Sequence, residues 1–90
     1  MAKFVRDEQS EMWLFQCPGC ECGHFINDGW TFNNDVDNPT VSPSILVNRG
    51  GANPIVPICH SFVNSGIIQF LDDCSHKLAG QTVEIPDWDQ

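Results

Sequence analysis

CPGCECGH, residues 17 to 24, contains three of the five cysteines and one of the three histidines of the chain. Cys17 and Cys20 form a C-x-x-C pair, in which proline and glycine bend the backbone so that two thiolates converge on one tetrahedral ion. A redox-active C-x-x-C pair would need a helix to begin at the second cysteine, and the residues after Cys20 do not favour a helix start. The segment therefore predicts one half of a zinc site.

The second half of the site must come from later in the chain, because a C-x-x-C pair supplies only two of four ligands. The candidates between residues 59 and 76 are Cys59, His60, Cys74 and His76. A site of four thiolates satisfies the ligand chemistry of Zn²⁺ most simply. The predicted metal ligands are Cys17, Cys20, Cys59 and Cys74, and Cys22 is interpreted as a spare thiol. The sequence leaves open whether a histidine replaces one of these cysteines and whether one or two metals bind.

Each of the three cysteine-containing segments also carries a histidine close by. If the cysteines share one ion, the three imidazoles lie around it, where they can support the metal, take part in catalysis or bind an anion. The predicted ligand-binding residues are His24, His60, His76 and Trp30, the last as an apolar wall. The alternative is that all three histidines are structural. No catalytic residue is assigned from the sequence.

Length and charge limit the classes of function. A domain of 90 residues buries only about 60 to 65% of the surface of its unfolded chain, so that a metal or disulfides commonly reinforce such a core. No secretion signal or membrane-spanning stretch is recognisable, and we expect a cytoplasmic protein in which disulfides are disfavoured. The net charge of −8, with only four basic residues, argues against binding of duplex nucleic acid, which requires a basic surface.

Short strands separated by turns are predicted over most of the chain. The expected strands are residues 12–16, 29–32, 44–48, 55–63, 67–71 and 82–85, and a single helical turn is expected at residues 74–79. This pattern predicts a small β-rich or α+β domain of short antiparallel strands, stabilised by zinc in the manner of a zinc ribbon and with little helix. Residues 1–11 are expected to form a flexible N-terminal segment, residues 12–86 a single zinc-binding domain, and residues 87–90 a tail.

A β-hairpin is predicted around Asn64-Ser65-Gly66, which is interpreted as a three-residue turn. In that register Val63 pairs with Ile67, and His60 faces Phe70 on an apolar side of the hairpin. Because successive side chains of a strand point to opposite faces, Cys59 and His60 are expected on opposite sides of the hairpin.

Five motifs together carry a resemblance that covers nearly the whole chain after Met12. They are CPGC with His24, W-x-F-N at residues 30–33, P-T-x-S-P-S at 39–44, C-H-S-F-V at 59–63 and D-C-S-H-K-L-A-G-Q-T-V at 73–83. As a set they resemble an uncharacterised family of small zinc-binding bacteriophage and prophage proteins.

The resemblance implies an accessory binding protein that acts in the host cytoplasm. Such a protein would counteract a host defence or regulatory system by sequestering a host protein or a small anionic ligand. The alternative hypothesis is a small zinc-dependent hydrolase that uses the histidine cluster together with Asp72 or Asp73. An open coordination position distinguishes the two, because structural zinc sites are closed whereas catalytic sites hold a water.

Overall fold

The computed structural model describes residues 2–88, apart from the side chain of Arg49, and within this range the protein is a small all-β domain of two antiparallel sheets. The N-terminal sheet has the order β1-β2-β3 and contains β1 (Phe4–Asp7), β2 (Met12–Cys17) and β3 (Cys22–Ile26). The C-terminal sheet has the order β4-β5-β6-β7-β8 and contains β4 (Thr31–Phe32), β5 (Val41–Val47), β6 (Cys59–Asn64), β7 (Ile67–Phe70) and β8 (Thr82–Glu84). The predicted fold class, β-rich with little helix, is confirmed.

Helical structure within residues 2–88 is confined to the short 3₁₀ segment Arg49–Gly51. None of the helical structure in this range is long and apolar enough to cross a membrane. The predicted helical turn at residues 74–79 is wrong. Successive turns occupy the segment instead, with short-range bonds such as that from the Ala79 N–H to the His76 carbonyl, 3.2 Å.

The first strand was not predicted, since residues 1–11 were expected to be flexible. Phe4 begins β1 and is only 1% exposed, and its ring stacks on Phe15 of β2 with 4.8 Å between ring centroids. Burial of an aromatic ring stabilises a fold by roughly 1.5 to 3 kcal/mol, which orders a segment that is otherwise charged and polar. At the other end of the chain, the Trp88 N–H donates to the Ala2 carbonyl at 2.8 Å. The rest of the predicted tail, residues 89 and 90, lies outside the described residues.

The core lies between the two sheets and takes side chains from both. Its fully or nearly fully buried members include Phe4, Phe15, Ile26, Val41, Ile45, Val63, Ile68, Phe70 and Ile85. Three thiols, those of Cys17, Cys59 and Cys74, are buried among them. The apolar core and the predicted metal ligands are therefore one continuous interior.

The β6–β7 hairpin is present, but its register differs from the predicted one. Asn64 pairs with Ile67 across a two-residue turn in which Ser65 and Gly66 have φ values of 51° and 81°. Two consecutive positive φ values are typical of the type I′ turn, whose twist matches that of the flanking strands. The shift pairs Ser61 with Phe70 in the core and leaves His60 on the outer face, not opposite Phe70. Cys59 and His60 nonetheless point to opposite faces, as predicted.

Strand β5 has a neighbour along one edge and an open stretch along the other. It pairs with β6 from Val41 to Val47, with an irregularity between Val41 and Ile45. On its other side, β4 pairs only with Val41 and Ser42. The remainder of that edge has no strand partner within residues 2–88.

Candidate catalytic and metal sites

A cluster of potential metal ligands lies where β2, β3 and β6 meet in the core. Its members are Cys17, Cys20, His24 and Cys59, whose ligand atoms all lie within 4.8 Å of one another. Cys17 ends β2, Cys20 lies in the turn that follows, and His24 is in the middle of β3. The Cys17 and Cys59 Sγ atoms are 3.8 Å apart. This cluster can hold a metal ion.

The pKa values of the thiols show that the cluster disfavours several thiolates at once unless a cation is bound. The hydrogen bond from the Cys59 thiol lowers the pKa of Cys17 to about 4, and the same bond raises the pKa of Cys59. Burial, together with the charge on Cys17, raises the pKa of Cys20 to about 12. Further thiolates beside Cys17 are disfavoured, because they would repel one another in the buried space. A divalent cation favours the thiolate form of all three.

The His24 side chain supplies the fourth donor of this cluster. The residue is 5% exposed, and its Nε2 atom is buried without a hydrogen-bond partner. Its Nδ1 atom lies 3.2 Å from the Gly23 carbonyl oxygen, which fixes the ring so that Nε2 is the free nitrogen. A buried, unpaired imidazole nitrogen beside three sulfur atoms is one of the donor sets found in tetrahedral zinc sites.

A second group shares Cys59 and adds Cys74 and His76, again with all ligand atoms within 4.8 Å. The Nδ1 atom of His76 accepts the Leu78 N–H at 3.2 Å, while its Nε2 atom is buried without a partner. The His76 ring also lies directly against Gly19 of the C-x-x-C pair, where any side chain would overlap it. The structure thus places Cys59 between two potential ligand groups. The predicted set of four cysteines stays a prediction.

A chain of three hydrogen-bonding side chains lies on the outer face of the C-terminal sheet. The Ser44 Oγ atom of β5 is 3.0 Å from the Nε2 atom of His60 on β6. The Nδ1 atom of the same ring is 3.0 Å from the Asp73 Oδ2 atom, in the turn after β7. Ser44 and His60 are half-buried, and the Asp73 side chain is 60% exposed. A serine, a histidine and a carboxylate in this order and at these distances have the geometry of a hydrolytic catalytic triad.

Residues of the triad and potential metal ligands are immediate neighbours in the sequence at two places. Cys59 immediately precedes His60, and Asp73 immediately precedes Cys74. The Cys74 Sγ atom also lies 3.2 Å from both the His60 backbone nitrogen and the His60 carbonyl oxygen. The two sites therefore occupy opposite sides of one stretch of β6, with the thiols inside and the triad outside.

The residues predicted for ligand binding have three different sets of neighbours. His24 belongs to the first thiol cluster, His76 to the second, and His60 to the triad. Trp30 lies beside the triad, since its Nε1–H donates to the Ser44 carbonyl at 3.3 Å. An anion site formed by the three histidines stays a prediction.

Ser44 was missed by the sequence analysis, although Asp73 was named among the possible catalytic groups. Ser44 lies 16 residues before His60, and nothing in the local spacing marks one serine among several as a nucleophile. The useful signal would have been the strand alternation of β5 and β6, which places one polar side chain from each on the solvent face.

Comparison with models of known protein families assigns this chain to a family. The model for the bacterial ubiquitination-like system serine protease (BubE) matches residues 1–71. The chain belongs to this family. The match includes Ser44 and His60 and ends before Asp73, and nothing in it places BubE proteins in bacteriophages. No curated protein and no solved structure matches the chain.

Proposed function

We propose that this protein is a serine protease in which Ser44 is the nucleophile, His60 the general base and Asp73 the orienting carboxylate. The observation that carries the proposal is the unbroken chain of two contacts, each 3.0 Å long, from the Ser44 hydroxyl through both His60 nitrogens to Asp73. The description of the family to which the chain belongs supports it.

The geometry assigns a step to each group. The Asp73 carboxylate accepts the Nδ1–H of His60, which leaves Nε2 as the basic nitrogen that faces Ser44. As the Ser44 oxygen attacks the carbonyl carbon of the scissile bond, its proton passes to Nε2. The imidazolium, stabilised by Asp73, then protonates the leaving amine as the carbon–nitrogen bond breaks. Water repeats the sequence on the resulting ester and releases the acid.

The substrate is a polypeptide of a bacterial ubiquitination-like system, cut at an amide bond. This part of the proposal comes from the family description, which names such a system and a protease activity. A triad on an open sheet face suits a protein substrate, because the nucleophile is not enclosed and a chain end or a conjugate can reach it.

The metal site fits a structural Zn²⁺ ion bound by Cys17, Cys20, His24 and Cys59. The bound ion would supply positive charge that stabilises thiolates in the core. Its contribution to catalysis is indirect. Cys59 positions the adjacent His60, and Cys74 contacts the His60 backbone through its sulfur.

The same contacts favour catalysis by a serine nucleophile over the two functions inferred from the sequence, a binding protein and a zinc-dependent hydrolase. His60 is held between Ser44 and Asp73 and is not directed into a shared anion site with the other histidines. A hydrolase is retained from the alternative hypothesis, with a serine nucleophile in place of a metal-bound water.

Labelling with a small alkyl fluorophosphonate tests the proposal, because this probe phosphonylates an activated serine and releases fluoride without needing a substrate site. We expect a single adduct on Ser44, located by peptide mass spectrometry. Ser44→Ala should abolish the adduct, whereas Ser42→Ala, a change of an exposed serine on the same strand, should retain it. An adduct elsewhere, or persistent labelling of Ser44→Ala, would exclude this triad.

A further inference from the structure

An apolar cavity with a volume of about 370 Å³ lies next to the triad, between the two sheets. One wall is residues 22–25 of β3, and the other is residues 45–47 of β5, with Trp30 and Val56 completing it. Phe25 and Leu46 at its mouth are 50% and 39% exposed. Among the described side chains, none that lines it is an aspartate, glutamate, lysine or arginine. We call this cavity the β3–β5 cleft.

The cleft is bordered by two strand edges. β3 is an edge strand of the N-terminal sheet, and within residues 2–88 β5 has no strand partner on this side beyond Ser42. Unpaired strand edges carry backbone N–H and C=O groups that can pair with an added strand. The cleft thus combines an apolar interior with backbone hydrogen-bonding groups at its rim.

The register shows which backbone groups of β5 face the cleft. The His60 carbonyl accepts the Leu71 N–H, so the backbone of His60 is directed away from β5. Its neighbours Cys59 and Ser61 therefore bond to Val47 and Ile45, their partners on β5, because bonding direction alternates along an antiparallel strand. It follows that the N–H and C=O groups of Leu46 and the C=O group of Ser44 point to the open edge.

One of these outward-facing groups has a side-chain partner on that edge. The Ser44 carbonyl accepts the Trp30 Nε1–H, whereas the N–H and C=O of Leu46 face a stretch of the β5 edge that has no strand partner within residues 2–88. Leu46 is also the cross-strand partner of His60, and it lies two residues from Ser44, or about 7 Å along a strand. The unpaired backbone groups of Leu46 thus lie two residues from the proposed nucleophile, which is the distance between successive side chains on one face of a strand.

We propose that the β3–β5 cleft binds the substrate as an extended polypeptide, which pairs with the Leu46 backbone and inserts an apolar side chain into the cavity. That side chain belongs to a residue within about three positions of the scissile bond, since the cleft begins about two residues from Ser44. The inference rests on the proposed protease function and adds its substrate specificity.

Three features select this occupant. A free N–H and C=O on one residue are complementary to the backbone of an added strand, which is how many proteins bind extended peptides. The lining is mostly apolar and contains no described lysine or arginine, which disfavours a nucleotide or another anion, as does the net charge of −8. The volume is near the lower end of the range of about 300 to 1,000 Å³ found for ligand pockets, which is sufficient for an apolar side chain and too small for a large cofactor.

A panel of tripeptidyl diphenyl phosphonates tests the specificity. These probes react with the same serine as a fluorophosphonate and release phenol, but they must first occupy the substrate site. Each of the three positions is leucine or aspartate in turn. At one position or more we expect leucine to increase the rate of Ser44 labelling by about tenfold or more over aspartate, the usual effect of an apolar pocket contact.

A matched pair of variants locates the effect in the cleft. Phe25→Glu places a charge at its mouth, and Ile67→Glu places the same charge on β7, outside the cleft, at a residue that is 39% exposed. The measured quantity is the ratio of the tripeptidyl to the fluorophosphonate rate, which corrects for changes in the triad. We expect Phe25→Glu to lower this ratio for the leucine probe by about tenfold and Ile67→Glu to leave it close to that of the parent.

The outcomes separate the two proposals. Absence of fluorophosphonate labelling at Ser44 rejects the protease itself. Labelling by the fluorophosphonate with no preference for leucine over aspartate at any of the three positions overturns the cleft proposal alone. An equal loss of the ratio in both variants also overturns it, because the charge would then act at a distance and not in the cleft.

Discussion

His60 has contacts on both its ring and its backbone. The ring lies between Ser44 and Asp73, and the backbone nitrogen and carbonyl oxygen are each 3.2 Å from the Cys74 sulfur. Cys59, which precedes His60, and Cys74, which follows Asp73, are both buried. His60 and Asp73 therefore have little freedom to move apart. A general base needs such restraint, since proton transfer depends on hydrogen-bond distance.

Asp73→Asn should slow the labelling of Ser44 by a fluorophosphonate about 100-fold, a typical contribution of positioned acid–base groups. The amide is nearly isosteric, but it can donate to Nδ1 and so favour the tautomer in which Nε2 carries the proton. Asp72→Asn is the matched control, because it removes the same charge one residue away and leaves the His60 contact intact. Equal effects of the two variants would show that Asp73 acts only through general electrostatics.

Gly19→Ala should destabilise the protein by about 1 to 3 kcal/mol, a typical effect of inserting a methyl group into a packed interior. A Cβ at this position would overlap the His76 ring, which lies against the C-x-x-C turn. The control is Gly23→Ala, whose Cβ would have its nearest atoms at 3.8 and 3.9 Å, ordinary contacts. Urea unfolding of both variants measures the difference. A Gly19→Ala variant as stable as Gly23→Ala would show that the His76 ring moves aside without cost.

The metal cluster and the triad differ in how far each could be predicted from the sequence. The sequence could point to the C-x-x-C half of the potential metal cluster, because the spacing of Cys17 and Cys20 is typical of a local turn that brings two thiols together. The choice between His24 and Cys74 as a further ligand depends on the packing of β3 against β6, which no spacing encodes. Ser44 depends on tertiary geometry altogether, since it contacts His60 across two strands in which the direct partner of His60 is Leu46.

At the level of elements, the turn of the β6–β7 hairpin determines which face each residue of β6 occupies. Asn64-Ser65-Gly66 is compatible with a two-residue or a three-residue turn, and the sequence analysis chose the longer one. A change of register by one residue reverses the face of every side chain relative to its partner strand. Most strands themselves were predicted, because alternation and turn residues are local signals, whereas register is a property of two strands together.

Ser65→Asn should stabilise the hairpin by about 0.5 kcal/mol, because asparagine followed by glycine is the preferred pair for a type I′ turn. Ser65 has a φ of 51°, a conformation that asparagine adopts more readily than serine. The free energy of unfolding in urea measures the change. Gly66→Ala, at a φ of 81°, should act in the opposite direction. Stabilisation by Gly66→Ala would contradict the two-residue turn.

The whole molecule is held together by contacts between the two sheets, and the thiol cluster is one of them. Cys17 belongs to the N-terminal sheet and Cys59 to the C-terminal sheet, so that an ion bound by both joins the sheets at their centre. The β3–β5 cleft lies along the same junction, with His24 contributing to its lining as well as to the cluster. The proposed metal site, the proposed substrate cleft and the position of His60 therefore depend on one arrangement of the sheets.

Removal of the metal should accordingly lower both stability and reactivity. Binding of structural zinc contributes about 10 kcal/mol or more to small domains, whereas the entire stability of a domain is about 5 to 15 kcal/mol. We expect the purified protein to carry Zn²⁺ by native mass spectrometry, and a strong zinc chelator to unfold it and to stop fluorophosphonate labelling, both reversed by added zinc. Cys17→Ser should lose the metal, and Cys22→Ser should keep it, since Cys22 lies outside both ligand groups. If the protein stripped of zinc unfolds at the same urea concentration and Ser44 still reacts, the thiol cluster does not hold the sheets together and the triad is positioned by the apolar core alone.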